Sequence, residues 1–118
     1  MSSEKDRLYL VEMLTAVTRI SYNLDPFTVE EWMKVEPLVA VVCMNMIVLG
    51  EGAHQLSPDL KALEPDVPWD DMKGMRNRLA HVYMRVDLRR VWEAATFEVP
   101  RLEAPLKRLL ASLGPEPD

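Results

Sequence analysis

Apolar and polar positions along this chain recur at three-to-four spacing almost throughout, and no useful stretch alternates with period two, so the pattern predicts helices and no sheet. Over residues 3 to 23 the stripe Leu8, Val11, Leu14 (or Thr15), Thr18 and Tyr22 predicts one amphipathic helix, stopped at Asp25-Pro26. Thr28-Val29-Glu30-Glu31 has the form of a capping box opening a short helix through Lys34. Pro37 suits the first turn of a third helix running to about Gln55. That helix is apolar on almost every side, which predicts a central element, buried in one copy or shared with a second. Gly50 and Gly52 late in it predict close backbone approach, since each costs about 1 kcal/mol of helix propensity.

Ser57-Pro58 reads as an N-cap with proline at the first helical position, starting a short helix to about Leu63. Pro65 and Pro68 make a stiff linker into a helix from about Trp69 to His81. Asp87 is placed to cap a last long helix that Pro100 and Pro105 bend or break. The expectation is a single all-α domain over residues 1–113, four main helices plus one or two short ones, with residues 114–118 a frayed tail.

Composition narrows the class. With 118 residues, nearly half of them hydrophobic, the chain is long enough to bury one core unaided. A lone cysteine, Cys43, excludes an internal disulfide, fits a reducing compartment, and sits in an apolar run as a small core hydrophobe. The longest apolar run, Leu38 to Leu49, contains Asn45 and is shorter than the roughly 20 residues of a membrane span. No secretory signal opens the chain, and the expected location is the cytoplasm, away from membranes.

The net charge of −5 is unevenly spread. Between residues 73 and 90, Lys73, Arg76, Arg78, Arg85, Arg89 and Arg90 face the single acid Asp87, leaving the rest of the molecule strongly acidic. An acidic body with one basic segment attracts a phosphate backbone locally. The same pattern also describes a solvated face whose cations pair with acids elsewhere.

Inside that segment, Arg76-Asn77-Arg78-Leu79-Ala80-His81-Val82-Tyr83 gathers a permanent cation, a titratable imidazole and a phenol along two turns. These are the groups that cut RNA without a metal: imidazole moves protons near neutral pH, and guanidinium matches phosphate. On a straight helix Arg76 and Tyr83 lie within roughly 20°, and Asn77 lies about 40° from His81, close enough for its amide to orient the imidazole. Arg76 and His81 are about 140° apart, so they meet only if the last turn deforms or a second copy brings its own motif to the same cleft. Arg78, three residues before His81, is an alternative working cation. His54 reads as a helix-surface or buried, hydrogen-bonded residue, and no carboxylates or histidines cluster at metal-ligand spacing.

The eight residues resemble the RX4HXY signature of HepT-type toxins in the HEPN superfamily. The likeness extends to Asp6-Arg7-Leu8-Tyr9-Leu10, Gly50-Glu51-Gly52-Ala53, Pro65-Asp66-Val67-Pro68-Trp69, Gly74-Met75, Val86-Asp87-Leu88, Val91-Trp92 and Pro100. The resemblance implies a HEPN-like helical bundle that forms a homodimer, its cleft lined by both copies of the motif. It implies a metal-independent ribonuclease without cofactor, the toxin of a type VII-like toxin–antitoxin system, acting on cellular RNA with tRNA the favoured class. Carried over by position, Arg76 and His81 are the catalytic pair. Asn77 and Arg78 are supporting candidates from the helix geometry above, and Glu51 either orients a motif arginine across the cleft or serves an ordinary capping or packing role. Tyr83 is the residue that a MntA-type minimal nucleotidyltransferase antitoxin would silence by AMPylation. The alternative is a catalytically inactive HEPN dimer that binds a nucleotidyltransferase or a nucleotide. One departure stands out: Met44 occupies a place early in the third helix where many members of the family carry a basic residue.

Overall fold

The structure, a computed structural model, describes residues 2–116, less the side chains of Ser2, Val82 and Tyr83. Among these residues there is no strand; seven α-helical segments build the molecule, α1 (Ser2–Leu24), α2 (Val29–Met33), α3 (Glu36–Gln55), α4 (Pro58–Lys61), α5 (Trp69–Val82), α6 (Leu88–Glu93) and α7 (Glu103–Ser112). The all-α bundle read from the sequence is therefore present: α1, α3, α5 and the α6–α7 arm are the main helices, with α2 and α4 short.

α3 lies between α1 and α5 and makes its principal contacts with those two helices. Val39, Val42, Cys43, Met46, Leu49 and Ala53 of α3 are buried. Asn45 is also buried, its side-chain amide donating to the Val41 carbonyl at 2.8 Å, so the polar interruption is satisfied inside the helix. The two glycines serve two neighbours. A Cβ at Gly52 would collide with Met13 of α1, and one at Gly50 would overlap the Arg76 side chain and sit 2.6 Å from the Met72 carbonyl of α5. α3 is 20 residues long and holds an 18-residue stretch of mean hydropathy 1.5, so it is long and apolar enough to cross a membrane, which the shorter run Leu38–Leu49 is not. Half of that stretch is packed within the protein, as expected of a core helix.

The buried face of α1 differs from the expected one. Leu10, Met13, Val17, Ile20 and Leu24 point inward, while Leu8, Val11, Thr18 and Tyr22 are exposed, Tyr22 by 82%. The helix carries two apolar stripes on opposite sides, and tertiary packing selects the longer-chained one. Asp6 belongs to that inner side and is nearly fully buried; its carboxylate accepts the Ser57 backbone N–H at 2.9 Å. Ser57 itself makes no side-chain cap bond, and α4 ends at Lys61, two residues short of Leu63.

The other punctuation follows the sequence. Thr28 and Glu31 form both bonds of the capping box, and Trp32 of α2 is buried against Trp92 with ring centroids 5.5 Å apart. Asp87 accepts from the backbone N–H groups of Arg89 and Arg90 at 3.0 and 3.4 Å. Between α6 and α7 the backbone loosens into a π-helical turn, Ala94–Glu98, and then tightens to 3-10 geometry over Val99–Leu102. Pro100 lacks the N–H needed to continue an α-helix, so the register changes around it. At the end of α7 the Arg7 guanidinium donates to the carbonyls of Leu113, Gly114 and Pro115, tying the start of the tail to α1. Pro117 and Asp118 lie outside the described residues.

Candidate active site

The loop before α5 is fastened at several points. Arg108 of α7 forks onto the Glu64 carboxylate at 2.9 and 2.7 Å, holding that carboxyl below its usual range. The Trp69 indole donates to the Glu64 carbonyl at 3.2 Å. Asp70 and Asp71 occupy the first turn of α5, where the helix dipole favours them. Met75 and Leu79 turn into the core, which fixes how the remaining residues of α5 are displayed.

Arg76 faces α3. Its Nη1 lies 3.5 Å from Glu51 Oε2, with the two side chains 23% and 38% exposed. Gln55, one turn further along α3, donates to the other carboxylate oxygen of Glu51 at 3.0 Å. The Arg76 stem crosses Gly50, where any side chain would displace it, and its Nε is buried without a partner. Sequence reasoning named Glu51 as support across a cleft; here it grips Arg76 of its own chain. Gln55 was missed, although its i,i+4 spacing from Glu51 was the available signal.

Asn77, Arg78 and His81 are exposed, His81 in the last turn of α5. No hydrogen bond joins Asn77 to His81 among the described residues, so the expected amide–imidazole contact is not made. α5 stays α-helical through Val82, and only Tyr83–Arg85 tightens into a 3-10 turn. The deformation therefore comes after His81, and Arg76 and His81 remain about 140° apart around one helix. The structure brings Arg76 together with Glu51, and it puts Arg78 and His81 on another side. The side chain of Tyr83, the expected modification site, lies outside the described residues.

The basic segment is partly neutralised. Arg89 pairs with Glu30 at 3.1 Å and Arg90 with Glu98 at 3.3 Å, alongside the Arg76–Glu51 pair. Among the described residues, Lys73, Arg78 and Arg85 make no ion pair. His54 is exposed, as read. Cys43 is buried, and burial pushes its thiol up to about 11, which fits a packing role. No group of three or more His, Cys, Asp or Glu side chains converges among the described residues.

A family profile described as "Ribonuclease HepT-like" matches residues 13–109, which span the bundle from α1 into α7 and include every motif residue. The chain belongs to the HepT-like ribonuclease family. It is similar to a protein of Thermococcus cleftensis named as a probable ribonuclease HepT, 28% identical over 91% of this chain and 96% of the relative. It is also similar to a candidate RNase of Methanocaldococcus jannaschii, 25% identical over 91% of this chain and 92% of that protein. A candidate RNase of Caldanaerobacter subterraneus subsp. tengcongensis is 28% identical over 88% and 93%. No solved structure matches. As a HepT-like ribonuclease the chain has the HEPN-type helical architecture, with its Arg–His motif on α5 packed against α3.

Proposed function

We propose that this HepT-like protein is a metal-independent endoribonuclease acting on cellular RNA, tRNA above all, and that it works in the cytoplasm as a homodimer. The observation that carries the reading is Arg76 held in direction by Glu51 and Gly50 while His81 stands exposed one and a half turns later. In the reaction the ribose 2′-OH attacks the adjacent phosphorus in line. His81 takes the 2′-OH proton, and the departing 5′-oxygen takes one from water, whose hydroxide the imidazolium then neutralises. The products are a 2′,3′-cyclic phosphate end and a 5′-hydroxyl end. Arg76 stabilises the charge building on the non-bridging oxygens, a contribution of about 3–4 kcal/mol where such a donor is well placed.

Such an activity makes the protein a toxin, and Tyr83 its switch. A minimal nucleotidyltransferase antitoxin would join the Tyr83 oxygen to the α-phosphorus of ATP, releasing pyrophosphate and the phenolic proton. The added nucleotide is bulky and anionic, so it would compete with RNA for the same cations.

The test is incubation of unmodified protein and His81→Ala with total tRNA in EDTA, read on a gel. Cleavage by wild type alone supports the reading; equal cleavage by both, or by neither, overturns it. Co-expression with a minimal nucleotidyltransferase should add one AMP to the intact mass of wild type and none to Tyr83→Phe. The Arg76–Glu51 pair favours a second reading, a non-cleaving dimer that binds a nucleotidyltransferase or nucleotide, because the motif cation is already engaged. Absence of cleavage with AMP addition intact selects it.

A further inference from the structure

On the side of α5 away from Arg76 lies a cavity of about 220 Å³ between α3, α5 and the π-helical turn. Its floor is apolar: Met46 from α3, Met75 from α5, and Val99 and Leu102 from the arm are all buried. Its mouth is polar and graded along α5. Asp71 and Arg78 both line it, about 20° apart around the helix and about 10 Å apart along the axis, so one end is acidic and the other basic. Arg90 at the rim is tied to Glu98, whereas Arg78 makes no ion pair among the described residues.

Gly74, also at the mouth, has no packing reason to be glycine. A Cβ there would meet only Arg78 Nη1 at 3.6 Å, an ordinary contact, unlike the overlaps at Gly50 and Gly52. Mid-helix glycine lowers helix stability, and the one thing it leaves here is an open entrance. The opposite wall is a π-helical turn, a feature that recurs at functional sites.

We infer that this cavity receives a single nucleobase of the RNA, one bearing an exocyclic amino group, while Arg78 takes the phosphate beside it. The inference rests on the ribonuclease reading and adds to it the element that selects where RNA is cut. At about 220 Å³ the space falls below the roughly 300–1,000 Å³ of sites for whole drug-sized ligands, so it fits one ring system with sugar and phosphate outside. Methionine thioethers make favourable soft contacts with ring edges, and RNA is commonly read through bases splayed out of the strand. The carboxylates of Asp70 and Asp71 accept from an amino group, which adenine, cytosine and guanine carry and uracil lacks. Arg78 precedes His81 by three residues, about 60° and about 4.5 Å on, so a strand anchored in the cavity runs over Arg78 towards the imidazole.

The experiment uses full-length His81→Ala protein with carbon-13-labelled methionine methyls, titrated with AMP and, separately, UMP. The expected result is movement of the Met46 and Met75 methyls by AMP, with UMP at least about tenfold weaker, as for a site whose polar groups one ligand leaves unmet. Adding Gly74→Leu, which closes the mouth with a better helix former, should abolish both shifts while leaving the far-ultraviolet dichroism unchanged. Methyls that stay still with AMP at millimolar concentration, or that move equally with UMP or in Gly74→Leu, overturn the inference. A parallel arm follows cleavage of a mixed-sequence RNA by protein with His81 intact. A cleavage pattern unchanged by Gly74→Leu sinks the cavity while sparing the nuclease. AMP filling the cavity of a protein that cuts no RNA keeps the base site and removes the nuclease.

Discussion

With Glu51 3.5 Å from it and Gly50 beneath its stem, the Arg76 guanidinium has its direction set by its own chain, and in the proposed reaction it would meet the phosphate already oriented. Orientation of this kind is worth much in a reaction with little covalent help from the protein, since a displacement of about 1 Å can cost about a hundredfold. Glu51→Ala should therefore lower kcat by about 10–100-fold with a smaller change in KM, and Glu51→Gln, which keeps an acceptor, should recover part of it. An unchanged kcat in Glu51→Ala, beside an inactive Arg76→Ala, would show that the carboxylate only packs. Cys43 yields a separate expectation at the alkaline end. Its thiol rises from the usual value near 9 to about 11 through burial, so the folded chain keeps a proton that the unfolded chain gives up. The stabilisation is complete below pH 9 and is lost between pH 9 and 11, a change of about 2–3 kcal/mol. Urea midpoints across that window should fall for wild type and flatten for Cys43→Ala. At this scale the sequence was legible where the signal is local: the packing role of Cys43 and the surface place of His54 follow from their neighbours in the chain. Gln55 could not be read from the motif, because it touches the site only through Glu51.

Among the helices, boundaries proved easier to read than faces. Caps and prolines are local signals, and α2, α3, α5 and the broken arm all start or change where Thr28, Pro37, Pro68 and Pro100 require. The inner face of α1 depends on its neighbours. Two apolar stripes satisfy the same periodicity, and packing against α3, where Gly52 seats Met13, and against α7 selects between them. Leu10→Ala and Ile20→Ala should accordingly each cost about 2–5 kcal/mol, while Leu8→Ala and Val11→Ala stay within about 0.5 kcal/mol. Chemical denaturation of the four variants checks this, and equal losses at Leu8 and Leu10 would contradict the packing described here. The central place of α3 was legible because it is apolar all round, and its glycines pointed to close neighbours without saying which.

In the whole molecule, the unpartnered side of α3 meets the motif. Val41 and Met44 are 37% and 60% exposed, and with Val48 they lie on the same ridge as Glu51 and Gln55 at three-four spacing. A basic residue at position 44 would make that ridge harder to bury; methionine makes it easier, which fits two copies packed along it with their Arg76–Glu51 pairs adjoining. A two-fold contact of this kind also answers the geometry of α5. Within one chain Arg76 and His81 point about 140° apart, but across a two-fold axis the arginine of one copy can face the histidine of the other. If each site is composite in this way, Arg76→Ala and His81→Ala homodimers are both inactive, and equal mixing with subunit exchange creates heterodimers holding one complete site and one empty one. Half the dimers would be mixed and each would have half its sites intact, so activity should return to about a quarter of wild type. A mixture that stays inactive after exchange, shown by native mass spectrometry to contain heterodimers, would mean that each chain must supply both groups. Met44→Glu separates assembly from chemistry: placing a charge on the ridge should give monomers by sedimentation, with an intact helical spectrum and cleavage lost. Full cleavage by such a monomer would confine the site to a single chain.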